Sequence, residues 1–395
     1  MPTSTSSNVR NYNQNQPPMK FTLPLLAIAV PLVSATPVNT TDTDDDTSGV
    51  IALDFDIHQA ATNEKRGLYR AQELDNQQIY YTADIYVGSN RQRQTVLVDT
   101  GSSDLWVVDA ASCDSSSAEC QEYGTYNAQT SHSSVNLTTA FSIEYFDGTT
   151  AAGNWFLDKV SIAGATLKKQ QFADVHSNTA GNGVLGLGFK GNEVAEQQYD
   201  NVPITLKKQG FIKKSAYSLY LNSVSADKGS ILFGGIDHAK YTGELIAQQI
   251  YVANYLALLV GSVKVNDVLY DAQQPALLDS GTSWTYLPQE YADAIAEKFN
   301  ATWLDDEEYY SVGCDSVPGN VTYTFAAGAT ITVPFDDLLF HDTETECYLG
   351  IGRAAYFILG DTFLRRAYTV FNLDDETISL AQINYTNKSK IRAIR

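Results

Sequence analysis

The chain has 395 residues, 44% of them hydrophobic, with 46 acidic against 26 basic side chains and a net charge of −20. That length and apolar content can bury a large core divided between two lobes, which excludes a disordered protein. The acidic surplus excludes nucleic acid as a partner, because phosphate contacts need clustered Lys and Arg.

In chain order, polar residues 1–18 are read as an N-terminal extension ahead of Met19. MKFTLPLLAIAVPLVSA, residues 19–35, has Lys20 before an apolar stretch and small residues Ser34 and Ala35 at its end, the pattern of a secretory signal. A membrane anchor fits less well, because the apolar part is shorter than the ~20 residues that span a bilayer and contains Pro24 and Pro31. Residues 36–66 are read as a prosegment: a polar TPVNTTDTDDDTSG, a structured VIALDFDIHQA, and the dibasic pair Lys65 and Arg66 before Gly67. A dibasic-specific processing protease is the expected partner there; the alternative is a chance basic pair in a linker. From Gly67 onward 22 basic residues face 39 acidic ones, a surface that stays soluble in acid.

The remaining chain is dominated by short runs rich in Val, Ile, Tyr, Phe and Thr, bounded by Gly, Asn and Asp. QQIYYTADIYVG, GSILFGGID, ATITVPF and AYTVFNLDDETISLAQ are examples, and all read as strands and hairpins. The best helix is PQEYADAIAEKFN, residues 288–300, where Ala292, Ile295, Ala296 and Phe299 share a face. The expected class is mainly β, with lobes at 67–245 and 246–395.

A carboxylate at the end of an apolar strand loses several kcal/mol of solvation unless it is chemically occupied, roughly by the usual transfer costs. VLVDTGSSDLWVV, residues 96–108, has such a residue in Asp99, and ALLDSGTSWTYLP, residues 276–288, repeats the pattern with Asp279. Each half also has a later apolar pair followed by Gly, Val184-Leu185-Gly186 and Ile358-Leu359-Gly360, as expected of a strand threaded beside each Asp loop. AFSIEYFDGTTAAGNW, residues 140–155, alternates around Asp147-Gly148 and reads as a hairpin.

Four cysteines suit an oxidising compartment, and one bridge within each half, Cys113–Cys120 and Cys314–Cys347, is the expected pairing. Neither they nor the scattered His58, His132, His176, His238 and His341 have metal-site spacing, so no metal and no cofactor is expected. GNGVLG at 181–186 fits G-x-G-x-x-G, but polar residues precede it and an apolar run comes after it, so nucleotide binding is not expected. Asn136, Asn300, Asn320, Asn384 and Asn387 are glycan acceptors if exposed. The C-terminal KSKIRAIR lacks the apolar tail of a lipid-anchor signal, and nothing marks an oligomer, so a monomer without a membrane anchor is expected.

DTGSS at 99–103, DSGTS at 279–283, VLGLG at 184–188, FGGID at 233–237 and ILGDTFLRRAYTVFNL at 358–373 together resemble the pepsin-like aspartic proteases. The signal, acidic spacer, Lys-Arg step and cysteine placement are most similar to the secreted fungal and yeast branch. The resemblance covers about residues 67–385 and implies a bilobal fold with a cleft in which Asp99 and Asp279 meet as the catalytic pair. Two like charges about 3 Å apart at an effective dielectric near 20 repel by roughly 5 kcal/mol, so the pair keeps one proton; these proteases are the type case of such a dyad. The ionised member would act as general base on a water and the protonated member would donate to the scissile carbonyl, hydrolysing a peptide or protein substrate without a covalent intermediate.

By the same resemblance Thr100 and Ser280 cross-link the two loops, Ser102 and Thr282 hold the outer carboxylate oxygens, and Gly101 and Gly281 present amide donors. The 140–155 hairpin becomes a flap with Tyr145, Asp147 and Gly148 over the substrate and Trp106 as partner of Tyr145. Phe146 departs from the usual Gly after the flap tyrosine. Asp147 is expected to admit a basic P1 side chain beside a general preference for hydrophobic residues, the alternative being a turn Asp without substrate contact. No prosegment Lys is present between 36 and 64 to neutralise the dyad, so IALDF acting as a strand is the expected inhibitory element. The rival function is an inactive pepsin-fold binding protein, against which both intact loops argue. The expected location is extracellular, free or at the cell wall.

Overall fold

A computed structural model describes residues 47–59, 79–113, 118–341 and 347–395. The extension, the signal, and Lys65 and Arg66 lie outside the described residues. Among the described residues twenty-six strands dominate, and the helices are short. The alternation that marks them in the sequence is visible in their burial: along Asn320–Phe325, Val321, Tyr323 and Phe325 point into the core while the residues between them are half-exposed. Burying each such side chain contributes roughly 1.5–3 kcal/mol.

The largest sheet has 13 strands and runs through both halves of the sequence. Ala216–Tyr220 pairs with Lys228–Phe233 on one side and with Ala367–Asn372 on the other, and Ala367–Asn372 continues to Thr377–Ile383. Tyr241–Gln249 closes that edge against Thr377–Ile383. The lobe boundary expected between residues 245 and 246 lies along the strand Tyr241–Gln249 of this sheet. Ile51–Gln59, which contains the IALDF segment, lies between Lys228–Phe233 and Ile79–Val87 in this sheet. Beyond it the second half adds a seven-stranded and a four-stranded sheet.

The best helix of the sequence is present as Gln289–Ala296, extended by a 3-10 turn at Glu297–Phe299. Pro288 caps its start, and Tyr291, Ala292, Ile295 and Ala296 are buried. Asn300 stops it in the left-handed region at φ 52°, which an asparagine tolerates better than most residues.

Two threadings position the site. Gln92–Asp99 pairs in parallel with Gly183–Gly186, placing Asp99 opposite Gly186. In the second half Val268–Leu278 pairs in parallel with Phe357–Leu359, placing Leu278 opposite Leu359. Each threaded strand also pairs antiparallel with the strand that comes after its Asp loop, Leu105–Val108 in one half and Thr285–Leu287 in the other. The backbones come so close that a Cβ on Gly186 would lie 2.5 Å from the Asp104 amide nitrogen, and one on Gly360 2.1 Å from the Trp284 carbonyl oxygen. The strand Ala165–Asn178 runs into the polar stretch ahead of GNGVLG, and the next element is the strand Gly183–Gly186 rather than the helix a dinucleotide fingerprint requires.

Candidate active site

The two Asp loops meet back to back, and most of their contacts are reciprocal. The Thr100 hydroxyl donates to the Leu278 carbonyl at 2.8 Å and accepts from the Ser280 amide at 2.9 Å. The Ser280 hydroxyl donates to the Val98 carbonyl at 2.9 Å and accepts from the Thr100 amide at 3.2 Å. Both side chains are 1% exposed, so each of these bonds satisfies backbone groups that water cannot reach.

The carboxyl groups are held by matching donors. Asp99 Oδ1 accepts from the Gly101 amide at 2.7 Å and its Oδ2 from the Ser102 hydroxyl. Asp279 Oδ1 accepts from the Gly281 amide at 2.9 Å and its Oδ2 from the Thr282 hydroxyl at 2.7 Å. The loops are interlocked: a Cβ on Gly101 would lie 2.5 Å from the Asp279 carboxyl, and one on Gly281 2.6 Å from Asp99 Oδ1. Burial first, and then the Asp279 carboxyl, raise Asp99 well above the usual carboxylate range, although Ser102 and Gly101 pull the other way.

A cleft of about 240 Å³ opens over this pair, with the 140–155 hairpin across it. The hairpin strands are Val135–Glu144 and Thr150–Ile162, and at the turn the Gly148 amide donates to the Tyr145 carbonyl at 3.0 Å. Gly148 sits at φ 83°, a conformation the turn needs and a side chain resists. The Tyr145 hydroxyl accepts from Trp106 Nε1 at 2.7 Å, which anchors the base of the hairpin turn to the strand after the first Asp loop. Burial and the charge of Asp99 hold the Tyr145 phenol far above its ordinary range, so it stays neutral. Asp147 is exposed at the tip, where its Oδ1 accepts from both the amide and the hydroxyl of Thr149 at 2.8 Å.

The cysteines and sequon asparagines named from the sequence do not line this cleft. Cys113 is bonded to Cys120 and Cys314 to Cys347. Among the described residues the one cluster of metal-ligand type is Cys314, His341 and Cys347, and its two sulfurs belong to the disulfide rather than to thiolates. Asn136, Asn300 and Asn387 are exposed, whereas Asn320 and Asn384 are half-buried. Asn384 also donates its Nδ2 to the Ala239 carbonyl at 2.9 Å. No helix among the described residues is long and apolar enough to cross a membrane.

Sequence reasoning missed several residues packed around the pair. Asp104 is fully buried beneath the first loop, accepting from the Val194 amide and the Tyr199 hydroxyl, each at 2.9 Å. Its place one residue beyond DTGSS was a usable signal, since another carboxylate there also enters an apolar strand. Asp361, inside the quoted ILGDTF motif, is buried behind Asp279; burial and the Asp279 charge raise it well above the carboxylate range against the pull of Arg365.

The family comparison bears directly on this geometry: the model of the eukaryotic aspartyl proteases matches residues 80–383, a span that includes both loops, the flap and the threaded strands. The chain belongs to the eukaryotic aspartyl proteases. Among curated relatives, Secreted aspartic protease 8 of Candida albicans is 46% identical over 337 residues, 84% of this chain and 82% of its own length. Candidapepsin-3 of Candida albicans is 44% identical over 396 residues, covering 93% of this chain and 98% of the relative. Candidapepsin of Candida tropicalis is 42% identical over 361 residues, 88% and 92% of the two chains. This aspartic protease is thus a hydrolase of the secreted, extracellular kind.

Proposed function

We propose that this protein is an acid endopeptidase in which Asp99 and Asp279 share one proton and activate a water between them. The observation that carries the reading is the reciprocal pair of carboxyl groups, each fixed by its own glycine amide and hydroxyl at the floor of one cleft. The ionised carboxylate takes a proton from the water as it attacks the scissile carbonyl, and the protonated carboxyl donates to the carbonyl oxygen. The resulting gem-diol breaks down as the carboxyl that now holds the proton gives it to the leaving amine and the other carboxylate takes one from a gem-diol hydroxyl, which returns the pair to its starting state with one proton. Titration belongs to the pair, so neither residue owns the proton. Thr100 and Ser280 keep the loops at a fixed distance, and Tyr145 closes the flap over the bound chain.

The apolar side chains Leu97, Val184, Leu277 and Ile358 that line the cleft support a preference for hydrophobic residues around the scissile bond. Asp147 keeps a carboxylate at the flap tip, and in our reading it also admits a basic P1 residue. An Asp147→Thr variant should then lose activity on a P1-Lys peptide several-fold more than on a P1-Leu peptide; equal losses would reduce Asp147 to a turn residue.

In the prosegment reading IALDF acts as a strand of the shared sheet, between Lys228–Phe233 and Ile79–Val87, rather than as a plug of the cleft, whose lining holds none of its residues. Control by this strand, followed by a cut after Arg66, requires that a precursor carrying Lys65→Ala and Arg66→Ala fail to mature in its host. Normal maturation would exclude that route. The endopeptidase reading itself is tested by digestion of a denatured protein from about pH 2 to about pH 7, with and without a statine-type inhibitor. Inhibitor-sensitive cleavage in acid is expected, and an inert protein that still binds the inhibitor would be a pepsin-fold binding protein instead.

A further inference from the structure

Phe146 stands at the flap tip where a small residue would leave the cleft mouth open, and its ring is 59% exposed. Tyr145 is tied down to Trp106, Asp147 is tied back to Thr149, and the phenyl ring between them reaches across to the opposite wall. There it meets Tyr286 edge-on, with ring centres 5.8 Å apart at 68°, and Tyr356 with centres 6.2 Å apart at 64°.

Those two tyrosines are held by the same threading that positions Asp279. Tyr286 lies in Thr285–Leu287, just after the Asp279 loop, opposite Ile358 of the threaded strand, and Tyr356 precedes that strand by one residue. A Cβ on Gly352 would lie 2.5 Å from the Tyr286 ring, so the ring rests directly on that backbone. All three rings line the cleft above the dyad. The wall is therefore fixed, whereas the phenyl is on a hairpin tip and leaves more than half of its surface for another group.

We propose that Phe146, Tyr286 and Tyr356 form an aromatic clamp that sets specificity by taking one large apolar side chain of the substrate, best an aromatic one, on the Asp279 side of the cleft. The proposal rests on the endopeptidase reading and names the residues that set its preference. The physical basis is the geometry of the rings: edge-to-face pairs already formed without substrate can be exchanged for pairs with a substrate ring, whereas a small or charged side chain breaks them without replacement. A glycine at 146 would have no ring to exchange.

The test uses the protein, its Phe146→Gly and Phe146→Tyr variants, and Tyr356→Ala on the opposite wall. Each is titrated calorimetrically with statine-containing, uncleavable peptides that carry Phe or Ala at one of the residues flanking the statine unit, and assayed on the matching cleavable peptides. At one flanking position the parent's preference for Phe should fall by about threefold to tenfold in Phe146→Gly and in Tyr356→Ala, in affinity and in kcat/KM alike, and should survive in Phe146→Tyr. An unchanged ratio in Phe146→Gly overturns the clamp, as does an equal fall at every position, which would mean a general flap defect. Peptides that bind with the expected ratio but are not cut would sink the endopeptidase reading and leave the clamp standing. Failure of the parent to bind any of them would sink both.

Discussion

Replacing Thr100 by valine probes the cross-link between the two loops with little change in shape. The substitution removes a donor to the Leu278 carbonyl and an acceptor for the Ser280 amide, both in a setting where the side chain is 1% exposed. Each backbone group left unpaired costs about 1–3 kcal/mol. The added methyl returns roughly 0.8 kcal/mol of burial. The net loss should be about 1–5 kcal/mol, a large part of the roughly 5–15 kcal/mol that holds a folded domain together. Leu278 and Ser280 bracket Asp279, so the same change should loosen the dyad and lower kcat more than it changes KM. Urea unfolding and peptide kinetics on the same preparation measure both effects. Ser280→Ala should cost a similar amount, and the double variant should lose less than the two single losses combined by about 1 kcal/mol, because either change already relaxes the shared interface. A loss under about 1 kcal/mol with kcat intact would refute the claim that these hydroxyls hold the loops together.

Three further outcomes are expected. Tyr145→Phe removes the acceptor of the buried Trp106 Nε1, and kcat/KM should drop about tenfold, the equivalent of one buried donor left unpaired; unchanged kinetics would leave that contact without a role. Burial raises the carboxyls of Asp99, Asp104 and Asp361 and lifts those of Asp174 and Glu193 to about 8. The folded state binds these protons more tightly than the unfolded chain, so their stabilising effect is complete below the usual carboxylate range near about pH 4 and disappears as the pH rises toward about 8. Asp200, Asp293 and Asp374, where partial burial is outweighed by ion pairs and hydrogen bonds, act in the opposite sense but are surface groups and count for less. The melting temperature should therefore be higher at about pH 4–5 than at about pH 8, and a rise across that interval would contradict the assignment. Finally, intact-mass and peptide mapping of protein from a glycosylating host should find Asn136, Asn300 and Asn387 modified and Asn384 unmodified, because a glycan on Asn384 would break its bond to Ala239.

The meeting of the two Asp loops was legible in the sequence because their pattern is written twice. An apolar run, an Asp, a hydroxyl residue and a Gly recur with the same spacing, and local turn chemistry then fixes which atoms face each carboxylate. The 140–155 hairpin was legible as well, since Asp147-Gly148 between alternating strands dictates one. Long-range pairing was not legible. Nothing local says that Ala367–Asn372 will lie beside Ala216–Tyr220, or that Tyr241–Gln249 will carry one sheet across the expected lobe boundary. Phe146 could be singled out as a departure, but Tyr286 and Tyr356 are far from it in the chain and become its neighbours only when the lobes meet. Asp361 stayed hidden because a carboxylate that opens a short helix looks like an ordinary first-turn acid until its burial is known.

The central claim is tested most directly by Asp99→Asn and Asp279→Asn, prepared as the mature protein and compared with the parent on a peptide cleaved in acid. Circular dichroism and binding of a statine-type inhibitor report separately whether each variant remains folded with its cleft formed. Both substitutions should lower kcat by about 10³-fold or more, since each removes one half of the shared-proton pair. Either variant keeping near-parental kcat across the acid range would show that a single carboxylate suffices, and the shared-proton account would be wrong.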